Sequence, residues 1–593
     1  MFASIEGDAS SKARMPQKKV RKNILNLSKE ETDKLIFAWK CIQEKPADCQ
    51  DGFFAIAGYH GQPFRGAGYG NAMWWGGYCH HGNVLFPTWH RAYILRLEEA
   101  LQKVDADVAL PYWDQMNGEY GEKEERIIPK IFTDKKYKFS AAFGGHTIDN
   151  PLYSYKFVKG FKDRLSRSGV DYGKPEGYKT VRYPYSGLVG SSDERRTNVH
   201  NEWMNRFSDD EITDLLNLNL RNWFHDRIHQ TASQGRAMGL REKYKMSLEA
   251  PNYTVFSNTT SAAQWNDDNS TSGALVVSVE SPHNGAHLAV GGYDVPDRPS
   301  FDGANGDMGE NDTAAFDPVF WFHHCFIDRV FWKWQNQHIN AKGHDTVDGV
   351  NIIPEYPGTS PVDYQGPTPG IAAHEWLTID TPLYPFKIPE NDWSGRGGQY
   401  WTSREISHLD LLPYRYDKPD LTPRKTQSDS GIESEDNENS LGSGEFAYDL
   451  NPPQLRYPHC QNTYLRISGI DRSTISGSFI ISAWAKEQNK PDIFLGCEPI
   501  FSRWNVSGCA NCNNHLKITA HIPLGGFRND FLGRVGFRSK IGTSDSRSGF
   551  EVSGGQFTTA FVITGGGQPL EGQVEVRNRK RPRGYPDSCG LNS

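Results

Sequence analysis

Histidines carry the chemistry of this chain, and its 19 are clustered rather than spread evenly. His60 lies in FFAIAGYHG (53–61), His80 and His81 in YCHHG (78–82), and His90 in PTWHRAY (87–93). Far along the chain, SPHNGAHLAVGG (281–292) holds His283 and His287, and FDPVFWFHHCFIDRV (316–330) holds His323 and His324. A single histidine among apolar residues is most often a hydrogen-bonded core group, but several among aromatics at short intervals point to a metal. The spacing of His283 and His287 puts both imidazoles on one side of a helix. Neighbouring helical residues point about 100° apart, so only one of His323 and His324 can readily join a given centre. No carboxylate has an obvious ligand role. All-imidazole sites suit copper, whereas hard cations prefer oxygen. Six neutral imidazoles would hold two copper ions without neutralising them. They tolerate Cu(I) and Cu(II), so two electrons can pass to one O2.

Rival constellations are weaker. His225 and His229 in NWFHDRIHQTA repeat the i,i+4 spacing, but their surroundings are polar and they read as a solvated helix face. Glu-x-x-His occurs at Glu280/His283 and Glu405/His408, the pattern of a di-iron bundle, yet Pro282 interrupts the first and no matching Glu-bearing helix pair accompanies them. HExxH, GxSxG, Walker A and a dinucleotide fingerprint after a strand are absent from the sequence. Cys509 and Cys512 form CANC, a spacing that could bind Cu(I), close a disulfide or leave two inert thiols.

The elements that must position these groups follow from local signals. Ser28 and Glu31 make a capping box, after which Leu35, Ile36 and Trp39 share a helical face. His90 opens a helix with Tyr93, Leu97, Ala100 and Leu101 on one side. Asp317 is a good N-cap and Pro318 suits the first turn, so a helix carrying His323 and His324 starts there. Residues 1–25 read as a polar, basic tail, 26–417 as a mainly α catalytic domain with long Gly/Pro-rich loops, and 418–450 as an exposed acidic linker. From 451 to 593, segments such as TYLRISGI (463–470) and SGSFIISAWA (476–485) alternate apolar and polar residues between turns, the mark of an all-β, sandwich-like domain. The expected catalytic core is an antiparallel four-helix arrangement with the two histidine groups facing inward.

Composition bounds the rest. Lys plus Arg number 65 and Asp plus Glu 72, so the net charge is −7 and no basic field exists for nucleic acid or anionic lipid. No apolar run approaches a membrane span, and the N-terminus lacks the apolar core of a secretory signal, so the expectation is a cytoplasmic protein whose sequons mean little. Nine unevenly spaced cysteines argue against a disulfide framework. A homo-oligomer is compatible with the sequence.

At this point the residues resemble a known family. HGNVLFPTWHRAYILRLEEAL (81–101) and DPVFWFHHCFIDRVFWKWQ (317–335) are similar to the two copper signatures of tyrosinases and catechol oxidases, the type 3 copper proteins. LPYWD (110–114), HNGAHLAVGG (283–292) and PYRYD (413–417), which resembles the family's Tyr-x-Tyr motif, agree with this over roughly residues 26–417. With its C-terminal β domain the chain resembles the long intracellular fungal pro-tyrosinases of the Aspergillus type. The resemblance implies two copper ions per chain, one held by His60, His81 and His90 and the other by His283, His287 and His324, with His80 and His323 as neighbours. It implies a thioether between Cys79 and His81. It implies that Asn284, with a nearby Glu such as Glu280, holds a water that deprotonates phenols. Gly285 and Ala286 depart from the usual acidic and larger residues there and leave the substrate pocket open. Cys509 and Cys512 would serve copper loading, and Phe501 would stand in for substrate beneath a covering domain; the other reading of Phe501 is a strand-core residue. The implied activity is ortho-hydroxylation of small monophenols and oxidation of catechols to o-quinones with O2, feeding melanin or a related pigment, in a latent enzyme activated by cutting of the linker or by low pH. The alternatives are a catechol or o-aminophenol oxidase without hydroxylase activity, a hemocyanin-like O2 carrier, or a non-oxidative enzyme on the same fold, perhaps with zinc.

Overall fold

The computed structural model describes residues 18–417 and 463–576, apart from 62, 64–76, 121–124, 164–171, 226, 229–233, 271–274, 297–303, 344, 360–370, 372–374, 391–395, 507–511, 513–514, 544–557 and 564–569. The proposed linker, 418–450, lies outside the described residues. The N-terminal part opens with a short strand, β1 (Lys19–Arg21), and then α1 (Lys29–Gln43), whose Ser28/Glu31 capping box forms and whose Leu35, Ile36 and Trp39 are buried as predicted. A short helix, α2 (Phe53–Ala57), leads to His60. The long α3 (Phe86–Gln102) carries His90, and α4 (Asp209–Phe224) and α5 (Leu240–Leu248) pack outside the centre. After α6 (Thr259–Asp268) come α7 (Glu280–Gly291) and α8 (Val319–His338), which carry the second histidine group. Every residue of α7 is buried, including the polar Glu280, His283, Asn284 and His287, so these groups must find partners inside the protein.

The basic segment before residue 25 is not a tail throughout. β1 pairs in parallel with β2 (Tyr414–Tyr416), in the register Lys19↔Tyr414 and Arg21↔Tyr416. Arg21 is fully buried; its guanidinium donates to Glu98 at 2.5 Å and to Asp328 at 3.2 Å. Asp328 on α8 also accepts from Arg91 Nε at 2.5 Å and from the hydroxyls of Tyr414 and Tyr416, each at 2.6 Å. A buried charge is tolerable only when paired and hydrogen-bonded, and here two arginines and two phenols meet Asp328. This network ties β1 and β2 to α3 and α8, one turn of helix from His324.

The C-terminal part holds β3 (Tyr464–Asp471), β4 (Phe479–Lys486), β5 (Ile493–Ile500), β6 (Lys517–Pro523), β7 (Gly536–Thr543), β8 (Thr558–Ile563) and β9 (Leu570–Val576). They form one ladder in the order β5-β4-β7-β9-β8-β3-β6, antiparallel except for the β7/β9 pair. The two edge strands approach each other: a Cβ at Gly496 on β5 would lie 2.8 Å from the Ile522 side chain on β6. The sheet therefore curls back on itself around a buried core that includes Leu465, Ile467, Ile481 and Leu495. Among the described residues no helix is long and apolar enough to cross a membrane.

Candidate metal centre

Three imidazoles meet between α7 and α8. The Nε2 atoms of His287 and His283 are 3.1 Å apart, those of His283 and His324 3.3 Å, and those of His287 and His324 3.4 Å. The nitrogens of His283 and His287 do not hydrogen-bond to each other. His287 Nδ1 lies 3.0 Å from the Met308 carbonyl and His283 Nδ1 3.0 Å from Asn284 Oδ1, and an oxygen of this kind only accepts. Both Nδ1 atoms must therefore carry the proton, which leaves the facing Nε2 atoms as bare lone pairs. A triangle with these sides has its centre roughly 1.9 Å from each corner, close to the length of a metal–imidazole bond at about 2.0–2.1 Å. The lone pairs of His283 and His287, 3.1 Å apart, repel unless a positive centre lies between them.

A second trio adjoins the first. The ring centroids of His60, His81 and His90 are 5.3, 5.6 and 5.2 Å apart, and all three Nε2 atoms are buried without a hydrogen-bond partner. His90 Nδ1 donates to the Phe86 carbonyl at 2.8 Å and His60 Nδ1 to the Asn311 carbonyl at 3.2 Å, so these rings too turn bare Nε2 atoms inward. The trios touch: His90 stacks on His324 with centroids 4.4 Å apart at 12°, and His81 lies 5.7 Å from His283. Burial pushes His90 and His287 down to about 3, and drives His60, His81, His283 and His324 well below the ordinary imidazole value. All six are held in the neutral form that a metal requires.

Only four of the six sit on helices. His60 lies in a turn after α2 and His81 in the loop before α3, held side by side because the backbone closes tightly there. Tyr78 N donates to Tyr59 O at 2.7 Å, and a Cβ at Gly77 would fall 1.9 Å from the His60 carbonyl oxygen. Cys79 Sγ and the ligand atoms of His60 and His81 lie within 4.8 Å of one another. His323 also approaches His283, His287 and His324, but Gln115 Nε2 donates to its Nδ1 at 2.6 Å while Gln115 Oε1 accepts from Tyr244 at 2.6 Å. That fixes the proton on His323 Nε2 and removes it from the lone-pair set.

The other nominated residues divide. The Glu280 carboxylate accepts from Gly82 N at 2.7 Å, Thr259 N at 2.9 Å and Thr259 Oγ1 at 3.0 Å; burial pushes its pKa up despite these donors. Asn284 holds the tautomer of His283 and, with Glu280, lines a cavity of about 210 Å³ that also reaches His81, Phe501 and His515. Gly285 faces away from the imidazoles: a Cβ there would meet Leu240 of α5 at 2.4 Å, so helix packing sets that position. Phe501, at the end of β5, stacks on His287 with centroids 4.1 Å apart at 18° and is 5.5 Å from the His81 ring. Cys512 lines a small cavity with Cys79 and His81, whereas Cys509 lies outside the described residues. The His225/His229 helix face does not form: α4 ends at Phe224, His225 is extended and its Nε2 meets Glu125 at 2.8 Å, and His229 is outside the described residues.

Sequence reasoning missed the groups that clamp the C-terminal part over the site. Arg503 is buried; it donates to Asp312 Oδ1 at 3.3 Å, to the His60 carbonyl at 3.0 Å and to Cys79 Sγ at 3.1 Å. Asp312 Oδ2 accepts from Trp504 N at 2.7 Å. On the far side of α7, Lys243 donates to Glu498 at 2.8 Å, and Asp267 on α6 accepts from Arg466 at 2.6 and 2.8 Å and lies 2.9 Å from His521 Nε2. The one visible signal was a lone arginine between two aromatics in FSRW (501–504).

Comparison with known proteins agrees with this geometry. The model described as the common central domain of tyrosinase matches residues 50–337. A tyrosinase from Aspergillus oryzae is 45% identical over 523 residues, which cover 85% of this chain and 88% of that protein. The solved tyrosinase of Burkholderia thailandensis at low pH has a TM-score of 0.68 at 38% identity, covering 88% of this chain and 94% of its own. A mutant pro-tyrosinase of Aspergillus oryzae shares the fold at a TM-score of 0.57 and 18% identity, over 96% of this chain and 97% of that one.

Proposed function

The chain belongs to the tyrosinase family, and from that premise we propose how its own residues oxidise phenols and how they are kept from doing so. It is a copper phenol oxidase. In the proposed assignment His60, His81 and His90 hold one copper and His283, His287 and His324 the other; the inward lone pairs of His60, His90, His283 and His287 support this. When bound, the copper pair supplies the two-electron chemistry with O2 that turns a phenol into a catechol and a catechol into an o-quinone.

The protein's own contributions are positioning and exclusion. The Nδ1–H bonds to Phe86, Asn284, Met308 and Asn311 lock four imidazoles in orientation. A Cys79–His81 thioether would fix a fifth, which otherwise faces only the side-chain amide of Asn311. The face of His287 is where an aromatic substrate stacks, and Phe501 occupies that face in the intact chain. Asn284 and Glu280 line the approach, placed to hold a water that takes the phenol proton. The Arg503–Asp312 pair anchors the segment bearing Phe501, so the uncut chain is latent. Cleavage within 418–450, or acid loosening of the Asp267 contacts, lets Phe501 withdraw. Quinones polymerise unaided, so melanin or a related pigment is the expected output.

The observation that carries this reading is the set of three facing imidazole nitrogens 3.1–3.4 Å apart with an aromatic ring stacked on one of the imidazoles. Copper quantitation with a catechol assay before and after limited proteolysis tests it. Two coppers per chain and quinone formation that appears on cutting are expected. Reversible O2 uptake without quinone would assign an oxygen carrier instead, and zinc in place of copper a non-oxidative enzyme.

A further inference from the structure

The cavity of about 210 Å³ beside the histidine centre has walls of opposite charge. The C-terminal part gives it Phe501, whose ring lies on His287, the cations Arg472 and Lys517, and the imidazoles of His515 and His521. The acid on that wall, Glu498, is paired with Lys243. The catalytic part gives it, besides His81, two titratable side chains among the described residues, Asp267 and Glu280, and both are acids. Glu280 is held from its own side, by Gly82 and Thr259. Asp267 is held from the other side. Arg466 on β3 donates to its two oxygens at 2.6 and 2.8 Å, and His521 Nε2 on β6 lies 2.9 Å from one of them. Asp267 also stands in the last turn of α6, beside Asp268, where the helix carbonyls add negative potential and a cation is favoured. Lys243 reaches this wall at the Ser281 hydroxyl, 3.3 Å away, so two acids stand against one cation once the covering part withdraws.

We propose that Asp267 is a specificity residue: in the opened enzyme it selects phenols and catechols with an alkylammonium side chain over those with a carboxylate. This rests on the phenol-oxidase reading above and names the kind of phenol that the site takes. In the intact chain the covering part meets the catalytic part at two points of one cavity, with an aromatic ring on His287 and a guanidinium on Asp267. A substrate that takes its place can answer both: the ring stacks on the imidazole, and an ammonium on a short alkyl tail reaches the carboxylate. Opening takes away Arg466, Arg472 and Lys517 together, so the wall left behind is acidic. A carboxylate tail meets like charge there. An ammonium gains a charge-assisted hydrogen bond, about twice as strong as a neutral one. Asp267 holds the tail and not the reacting ring, so its effect falls on KM and leaves kcat in place.

The test uses the full-length, copper-loaded chain after limited proteolysis, near neutral pH, where carboxylates and ammonium groups are all charged. Oxygen uptake is followed with three catechols: dopamine, 3-(3,4-dihydroxyphenyl)propionate and the uncharged 4-methylcatechol. Wild type should favour dopamine over the propionate in kcat/KM by roughly tenfold, from attraction of one tail and repulsion of the other. That ratio should shrink as salt is raised to about 0.5 M. Asp267→Asn should lower the ratio by about fivefold, through a higher KM for dopamine, while 4-methylcatechol changes by less than about twofold. Asp267→Glu should keep the preference. A wild-type ratio near one, an unchanged ratio in Asp267→Asn, or an equal loss on all three catechols in that variant would overturn the role of Asp267 and leave the phenol-oxidase reading intact. A cut wild-type chain that oxidises none of the three would overturn that reading itself.

Discussion

Replacing Arg503 by alanine should release the latent state without touching the chemistry. The side chain is buried, as is that of its partner Asp312, and it also caps the His60 carbonyl. Removing one member of a buried ion pair leaves the other charge uncompensated, at a cost of about 3–5 kcal/mol. Asp312 retains one donor, Trp504 N at 2.7 Å, so the lower end is the better figure. Opening the interface lets water reach Asp312, so the cost falls on the closed state alone. A loss of about 3 kcal/mol raises the open fraction by roughly 10²-fold, since about 1.4 kcal/mol is a factor of ten. Catechol oxidation by the uncut, copper-loaded Arg503→Ala chain should therefore rise by about that factor, capped at the activity of the proteolysed enzyme. After proteolysis, variant and wild type should be equal. Uncut activity within twofold of wild type, with normal activity after cutting, would refute the claim that this pair anchors the cover.

Other outcomes follow from the same contacts. Burial alone would raise the Asp267 carboxyl, but hydrogen bonds from His521 and Arg466 outweigh it and hold the group well below the usual range. A depressed carboxyl contributes stability above its unfolded value, near 4, and loses it as pH falls further, so brief incubation at pH 3 should activate the uncut chain and Asp267→Asn should show raised activity already at pH 7. Burial pushes Glu310 up to about 8, so the folded chain binds an extra proton between its unfolded value and that pH, and stability falls as pH rises through this window. Glu310→Gln should then raise the melting temperature more at pH 8 than at pH 5, by calorimetry; an equal shift at both would contradict the shifted carboxyl. Gly77→Ala forces the backbone away from His60 and should cost the trio of His60, His81 and His90 its copper while the other trio keeps its own, read as metal per chain by mass spectrometry.

Much of the centre is legible in local patterns, because local rules set it. Four-residue spacing on a helix brings His283 and His287 together, the Asp317–Pro318 start orients α8, and the angle between neighbours on that helix separates His324 from His323. What local patterns could not reveal depends on pairing across hundreds of residues. Arg21 reads as one more solvated cation until β1 meets β2 and Asp328 receives it. His225 and His229 have the right spacing for a shared face, but the helix stops at Phe224 and His225 goes to Glu125. Phe501 could be a core phenylalanine by its strand context; only the docking of the sheet shows that its ring lies on His287. The clamp of Arg503, Asp312 and Asp267 has no periodicity, since its members come from separate loops and the end of a helix.

Anomalous diffraction at the copper absorption edge, on crystals of the copper-loaded full-length chain, addresses the dinuclear assignment most directly. Two peaks are expected, one enclosed by the Nε2 atoms of His60, His81 and His90 and one by those of His283, His287 and His324. A single peak, or density bound through His323 or through carboxylates in place of these nitrogens, would contradict it.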